Sequence, residues 1–213
     1  MKVELENVLP QDIEKRSFAI ITEELGNRKL PPENEAVIKR VIHTSADFDY
    51  VQNLVFSPDA VQKGIEALKN GATIITDTQM AKAGVNKAAL ASLGASVECF
   101  MADADVAAAA KQNGTTRAAA AVEKAAALGK DVIFAVGNAP TALVRIYELM
   151  AEQKLSPLLV IGVPVGFVNV VESKELILQT AVPHIIARGR KGGSNVAAAI
   201  CNALLYQATD RVL

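Results

Sequence analysis

The length and composition of the chain indicate a globular protein with a sizeable core, because its 213 residues are 51% hydrophobic and 21% charged. The 22 Lys and Arg nearly balance the 23 Asp and Glu, which argues against non-specific nucleic-acid binding, so any anion site must be local. Cys99 and Cys201 are too few, and too deeply set in apolar sequence, for a disulfide framework, and we expect two buried thiols in a reducing compartment.

The start of the chain and the lengths of its apolar segments bear on where the protein acts. Acidic residues interrupt residues 1–6, where a signal peptide needs an apolar run, and no later segment is long enough to span a bilayer. No linker separates the predicted elements. We therefore expect a single domain over residues 1–213, cytoplasmic and not associated with membranes.

The first seventy residues predict three helices. Residues 10–26 form the first, with a proline suited to the first turn and a glycine suited to the end. Ser17 falls on its inward stripe, where a hydroxyl usually bonds to a carbonyl one turn back. Asn34 starts a second helix and residues 57–70 form a third. The segment 48–56 between them, rich in Phe, Tyr, Val and Leu, is an extended arm or a strand.

From Gly71 onward, short apolar runs alternate with helical stretches, which is the pattern of an α/β fold. The five apolar runs lack the alternation of a half-exposed strand, so they favour strands covered on both faces, as in a parallel sheet. The predicted strands cover residues 72–75, 95–100, 131–136, 157–161 and 182–186, and the predicted helices cover 85–93, 103–110, 115–128, 140–153, 169–178 and 193–208.

The loops that follow the predicted strands are the expected place for a ligand, because an open parallel sheet binds ligands beyond the carboxyl ends of its strands. The loop 188–195 holds three cations in its first four positions, followed by two glycines and Ser-Asn ahead of an apolar helix, which together predict an anion site. Gly137 and Gly162, taken singly, could equally mark tight turns. Neither a P-loop nor a dinucleotide-binding glycine motif is present in the sequence.

His43 is the candidate acid or base, because histidine is the side chain that exchanges a proton near neutral pH. The other histidine, His184, lies inside an apolar run and is predicted to be a core residue. His43 shares a predicted helical face with Arg40 and Asp47, and the alternative is a half-buried structural histidine. Asp47 and the helix C-terminus favour a charged imidazole, whereas Arg40 and burial favour a neutral one, and the sequence leaves this balance open.

Six short motifs follow one another at ordinary spacing along nearly the whole chain. They span residues 10–18, 41–47, 76–80, 137–141, 162–174 and 188–194, and they include Val41-Ile-His43-Thr-Ser-Ala-Asp47 and Arg188-Gly-Arg-Lys-Gly-Gly-Ser194. In this order they resemble the precorrin-8X methylmutases, also called cobalt-precorrin-8 methylmutases, of cobalamin biosynthesis.

The resemblance implies a cofactor-free isomerase that moves a methyl group from C-11 to C-12 of a corrin precursor. The product would be hydrogenobyrinate, or cobyrinate in the cobalt-bearing route. The implied fold is a three-layer α/β/α sandwich around a mainly parallel sheet of about five strands, in a homodimer with sites near the interface. His43 would be the catalytic acid/base, with no metal ligands in the protein, and the product could be handed over to neighbouring pathway enzymes.

Substrates of that family carry carboxylate side arms, so cations and glycine-loop N–H groups are candidate partners. A non-catalytic corrinoid-binding carrier is the main alternative, and a phosphate- or nucleotide-binding enzyme that uses the 188–195 loop is a weaker one. The residues expected to bind the substrate are Arg16, Ser17, Arg40, Gln79, Met80, Arg117, Asn138, Arg188, Lys191 and Gly192.

Overall fold

The apolar runs of the sequence form the strands of one sheet in the computed structural model, which describes residues 6–211. Residues 1–5, which include Glu4 and bear on the expectation of no signal peptide, lie outside this range. The strands are β1 (Leu54–Phe56), β2 (Thr73–Thr76), β3 (Ser96–Glu98), β4 (Val132–Val136), β5 (Leu159–Gly162) and β6 (His184–Ala187).

The sheet has the strand order β1-β6-β5-β4-β2-β3. Strands β2 to β6 are parallel to one another, and they confirm the five predicted strands. Strand β1 adds an antiparallel edge beside β6. It comes from the segment 48–56, for which the sequence predicted an extended arm or a strand. That prediction is wrong for Tyr50–Asn53, which form a short helix, and holds for the last three residues.

Helices cover both faces of the sheet and connect its parallel strands. A 3-10 turn over Pro10–Asp12 leads into the first of them. The helices of the described residues are α1 (Ile13–Leu25), α2 (Glu35–Ser45), α3 (Tyr50–Asn53), α4 (Ala60–Lys69), α5 (Gln79–Gly84), α6 (Lys87–Ser92), α7 (Ala104–Asn113), α8 (Arg117–Ala126), α9 (Pro140–Ala151), α10 (Val170–Leu178) and α11 (Ser194–Ala208).

Helix α5 is a departure from the sequence prediction, which left the residues after β2 as a loop. The side chain of Thr78 accepts a hydrogen bond of 3.1 Å from the backbone N–H of Ala81 and so caps this six-residue helix. The same hydroxyl lies 2.7 Å from the hydroxyl of Ser194, the first residue of α11. The loop after β2 is therefore tied to the start of the last helix.

Two hydrophobic clusters, one on each face of the sheet, show the three-layer arrangement. Along β4, Ile133 packs with the cluster formed by α1, α2, α4 and α11, whereas its neighbour Phe134 packs with the cluster formed by α8, α9 and α10. This division follows from the two-residue period of a strand, because successive side chains point to opposite faces. The predicted α/β/α sandwich is confirmed.

No helix within residues 6–211 combines the length and the apolarity that crossing a bilayer requires. Helix α11 is the most apolar long helix of the fold, with ten buried residues, and it packs against α2, α4 and α5. These three helices cover the apolar side chains of α11. Helix α2, which carries His43, thus rests on the best-covered element of the molecule.

Candidate functional site

Helices α1 and α2 pack side by side and place His43 and Ser17 in one groove of about 380 Å³. Ser17 lies early in α1 and His43 late in α2, as expected where two consecutive helices run antiparallel. The ring of His43 is exposed to solvent. The lining is otherwise mainly apolar, and comprises Ser17, Ile20, Ile21, Glu24, Ile42, His43, Ala46 and Phe48.

The end of α2 fixes the direction in which the chain leaves His43. Ala46 adopts the left-handed conformation, with a φ of 53°, and its N–H donates a 2.7 Å bond to the carbonyl of Ile42. Such a conformation costs a residue other than glycine about 1 kcal/mol. Ser17, on the facing helix, donates its hydroxyl to the carbonyl of Ile13 at 2.9 Å, which confirms the predicted bond.

Arg40 occupies a different place from the one that a substrate contact requires. It is only 6% exposed, and its guanidinium donates to the carboxylate of Glu14 and lies over the rings of Phe18 and Tyr206. Arg40 and His43 are three residues apart on α2, so the shared face expected from the sequence splits into a buried and an exposed side. We correct the expectation of a direct contact with substrate for Arg40.

Lys191 connects the cationic loop to the helix of His43. Its ammonium donates 2.6 Å bonds to one carboxylate oxygen each of Asp47 and Asp49, which follow α2. The bond from Lys191 holds the pKa of Asp47 below its usual range, and the two carboxylates raise the pKa of Lys191 above its usual value. The predicted anion-binding cation is thus already paired within the protein. Its side chain is 44% exposed and so stays accessible to a ligand.

Arg188 lies at the other end of the same loop. Its Nε donates a 3.0 Å bond to Glu175, and its backbone N–H donates to the carbonyl of Asn53 at 2.7 Å. The side chain is 55% exposed, so this ion pair can exchange its partner for a ligand carboxylate at a cost of about 1 kcal/mol or less.

Lys174 is fully buried and holds the cationic loop from beneath. Its ammonium donates to the carbonyl oxygens of Gly189 at 2.7 Å and of Lys191 at 2.9 Å. Burial lowers the pKa of Lys174 to about 8. The sequence motif that contains Lys174 does not by itself predict a role for it. The signal that could have found it is a lysine with apolar residues one helical turn away on both sides.

Asp77 holds the loop after β4 by accepting bonds from backbone N–H groups, whereas Lys174 donates bonds to backbone carbonyl oxygens. Its buried carboxylate accepts bonds from the backbone N–H groups of Gly137, Asn138 and Ala139, at 2.8, 2.7 and 2.6 Å. Burial raises the pKa of Asp77, while the three N–H donors oppose that shift. The carboxylate therefore caps the start of α9 from a neighbouring strand. It was also left without a role in the sequence reasoning, although it follows a strand directly.

The glycines of these loops allow backbone segments to touch. A Cβ on Gly192 would lie 2.0 Å from the carbonyl oxygen of Val163, and a Cβ on Gly137 would lie 2.7 Å from the Cα of Ser194. Neither position has room for a side chain. The loops after β4, β5 and β6 are thus packed backbone to backbone, which accounts for Gly137 and Gly192 more fully than turn formation does.

The other predicted contacts lie around the carboxyl edge of the sheet or beside it. Gln79 donates to the carbonyl of Cys99 at 3.2 Å, and Met80 is 71% exposed. The side chain of Asn138 is exposed, and so is that of Arg117 at the first position of α8. Arg16, on α1, donates a 2.7 Å bond to Glu6. These positions are compatible with ligand contacts, and the described residues contain no cluster of His, Cys, Asp and Glu suited to a metal ion.

Known proteins match both the sequence and the arrangement of these elements. The sequence profile of the precorrin-8X methylmutases matches residues 12–207. This chain belongs to the precorrin-8X methylmutase family. The cobalt-precorrin-8 methylmutase of Salmonella typhimurium is 48% identical over 203 residues, which are 92% of this chain and 95% of the relative. The precorrin-8X methylmutase of Pseudomonas aeruginosa is 40% identical over 203 residues, covering 94% and 96% of the two chains.

A solved structure of the family shows the same fold. The precorrin-8X methyl mutase of Thermus thermophilus superposes with a TM-score of 0.85 at 39% identity, over 93% of this chain and 98% of that one. The prediction of the family from six motifs is confirmed, and so is the prediction of an enzyme of the methylmutase type. The roles of individual residues stay predictions.

Proposed function

We propose that this protein catalyses the methyl shift from C-11 to C-12 of precorrin-8X, or of its cobalt-bearing counterpart, to give hydrogenobyrinate or cobyrinate. The observation that carries the proposal is the exposed imidazole of His43 in a groove with an apolar floor, in a chain that belongs to the methylmutase family. A flat macrocycle suits an open groove lined by Ile20, Ile21 and Phe48.

In this proposal His43 acts as the general acid/base. A methyl shift within a conjugated macrocycle requires a change of protonation that redistributes the electrons of the ring, and one histidine at the groove can supply it. Ser17 lines the same groove, and its hydroxyl proton is held by the carbonyl of Ile13, which leaves its oxygen lone pairs free to accept a bond from the ligand.

The carboxylate side arms of the substrate are assigned to cations at the rim. Lys191 and Arg188 belong to the loop after β6, and Arg117 is the first residue of α8. Charge-assisted bonds of this kind position a ligand without taking part in the chemistry. Gln79, Met80, Asn138, Gly192 and Arg16 complete the proposed set of contacts.

We also propose a homodimer in the cytoplasm that passes its product to a neighbouring enzyme of the pathway, with residues 1–213 as one domain. Exposed apolar side chains on the loop after β5, namely Val165, Phe167 and Val168, support an interface there. Light scattering of the native protein should give twice the mass of one chain, and Phe167→Asp should reduce it to the mass of one chain.

The activity is tested with precorrin-8X and cobalt-precorrin-8 in parallel, by following the absorbance change as the corrin chromophore forms. We expect conversion without added cofactor and a loss of at least about 10²-fold in His43→Ala, as for removal of a general acid/base. Thr44→Ala, next to His43 and exposed, is the matched control and should keep full activity. Full turnover by His43→Ala would refute the role of the histidine.

The alternative of a corrinoid carrier makes a different prediction for the same samples. A carrier would bind hydrogenobyrinate tightly without converting precorrin-8X, and its affinity would be indifferent to His43. Equilibrium titration of the product against the wild type and His43→Ala separates the two functions.

A further inference from the structure

A column of rings and guanidinium groups lies behind the imidazole of His43. The ring of Phe18 stacks on His43, with centroids 5.3 Å apart and planes inclined by 19°. The guanidinium carbon of Arg40 lies 4.8 Å from the centroid of Phe18 and 5.1 Å from that of Tyr206. The guanidinium carbon of Arg211 lies 4.4 Å from the same Tyr206 centroid. Helices α1, α2 and α11 therefore meet through this column, and His43 is its exposed end.

The charge of Arg40 is only sparsely compensated. The residue is 6% exposed and donates to one carboxylate, that of Glu14, whose side chain is 35% exposed. The buried Nε and Nη2 atoms have no hydrogen-bond partner within the described residues. Two aromatic faces and one carboxylate thus stabilise a permanent positive charge one helical turn from His43.

Glu14 is electrostatically coupled to both Arg40 and His43. The hydrogen bond from Arg40 is the main cause that lowers the pKa of Glu14, and the nearby His43 contributes in the same direction. Such coupling is reciprocal, because each charge stabilises an opposite charge by the same energy. Arg40 and Glu14 thus place a positive and a negative charge behind the ring of Phe18, on the side of His43 that faces the protein.

Further charged groups surround the column. Glu24 of α1 lines the groove, Lys39 of α2 pairs with Glu35, and Asp47 after α2 is bonded to Lys191. Arg211 after α11 lies over Tyr206 and 3.5 Å from the second carboxylate oxygen of Glu14. Glu14 is thus shared by Arg40 and, at the longer distance, by Arg211.

We infer that Phe18, Arg40 and Glu14 are positioning residues for His43: the ring of Phe18 holds the plane of the imidazole, and the Glu14–Arg40 pair sets how readily it takes up a proton. The inference rests on the proposed acid/base role of His43. It also explains why a buried arginine occupies the turn before the imidazole. Removing Glu14 and removing Arg40 should change the protonation of His43 in opposite directions.

The test is a ¹H–¹⁵N or ¹H–¹³C titration of the His43 imidazole in the full-length protein, with His43→Ala to assign the resonance. Glu14→Gln leaves the Arg40 charge uncompensated, so the protonation midpoint of His43 should fall by about half a pH unit. Arg40→Met removes the positive charge behind Phe18 and leaves Glu14 with Arg211 as its partner, so the midpoint should rise by a similar amount. Glu23→Gln is the matched control, because it removes an exposed charge from the same helix and should leave the midpoint unchanged.

The rate of the methyl shift provides the second readout. The acid limb of its pH profile should move with the imidazole titration in each variant. Phe18→Leu should lower kcat about tenfold with little change in KM, because the imidazole gains rotational freedom. Phe18→Tyr should keep the wild-type rate, because it keeps an aromatic ring against the imidazole.

The two variants of the pair decide the inference. Midpoints that move in the same direction, or that equal the wild-type midpoint, would overturn it. Glu14→Gln decides the question alone if Arg40→Met does not fold. Opposite shifts in a protein that converts no precorrin-8X would support the electrostatic inference and refute the proposed function, so the two failures are distinguishable.

Discussion

The carboxyl edge of the sheet and the His43 groove are built by different means. At the edge, two buried ionic side chains bond to backbone groups: Asp77 binds three N–H groups and Lys174 binds two carbonyl oxygens. At the groove, the imidazole is held by a ring face, and the arginine behind it has two N–H-bearing atoms without a partner. One region is fixed by complete backbone bonding, and the other by packing.

The difference separates positioning from proton exchange. Backbone-bonded loops keep their donors in place, which suits the binding of a ligand with many carboxylates. The stacked imidazole makes no hydrogen bond to another side chain within residues 6–211, so it can change its charge without disturbing the fold. We therefore expect substitutions at the edge to affect stability and KM, and substitutions behind His43 to affect the pH dependence of the rate.

The largest effect is expected for Asp77→Ala, because it leaves three buried N–H groups without an acceptor. We expect the free energy of unfolding to fall by at least about 3 kcal/mol, measured by urea denaturation. Asp49→Ala is the control, since that carboxylate is 68% exposed and should cost about 1 kcal/mol or less. Equal losses in the two variants would contradict the role given to Asp77.

A smaller effect is expected for Gly192→Ala, whose Cβ would overlap the carbonyl of Val163. We expect a loss of about 3 kcal/mol and a rise in KM, because the backbones of two loops must separate. Gly189→Ala is the matched comparison: it also has a positive φ, of 80°, but nothing lies within 4 Å of the added Cβ. It should cost only about 1–2 kcal/mol from the backbone conformation.

The smallest change in stability at pH 7 is expected for Lys174→Met, because an apolar side chain of similar length avoids burying an ammonium. We expect a stability within about 1 kcal/mol of the wild type and a KM raised about tenfold, since the loop of Lys191 loses its bonds to Lys174. Unchanged KM in this variant would refute the role of Lys174 in shaping the loop.

The pH dependence of stability provides a further check on Lys174. Its pKa is about 8 in the folded protein and 10.5 in the unfolded chain, so the unfolded state holds more protons between these values. The stability of the wild type should therefore gain up to about 3 kcal/mol from this residue as pH rises from 8 to 10.5. Urea denaturation at pH 7.5 and 10 should show this gain in the wild type and its loss in Lys174→Met.

Much of the fold could be predicted from local sequence, because burial on both faces leaves a continuous apolar run. The five parallel strands and the core position of His184, which is 5% exposed, were predicted in this way. The bond of Ser17 to a carbonyl one turn back is also local to one helix. The family and His43 as the candidate acid or base followed from short motifs, each of which is a run of consecutive residues.

Tertiary structure decided what depends on contacts between distant residues. The strand order, the antiparallel pairing of β1, and the burial of Arg40 between two rings each require partners far along the chain. The roles of Asp77 and Lys174 are of the same kind, since their partners are backbone groups 60 and 15 residues away, and backbone groups carry no signal in the amino-acid sequence. The kinds of side chain available for chemistry can be read from short stretches of sequence. Their positions relative to one another are set only when the chain folds.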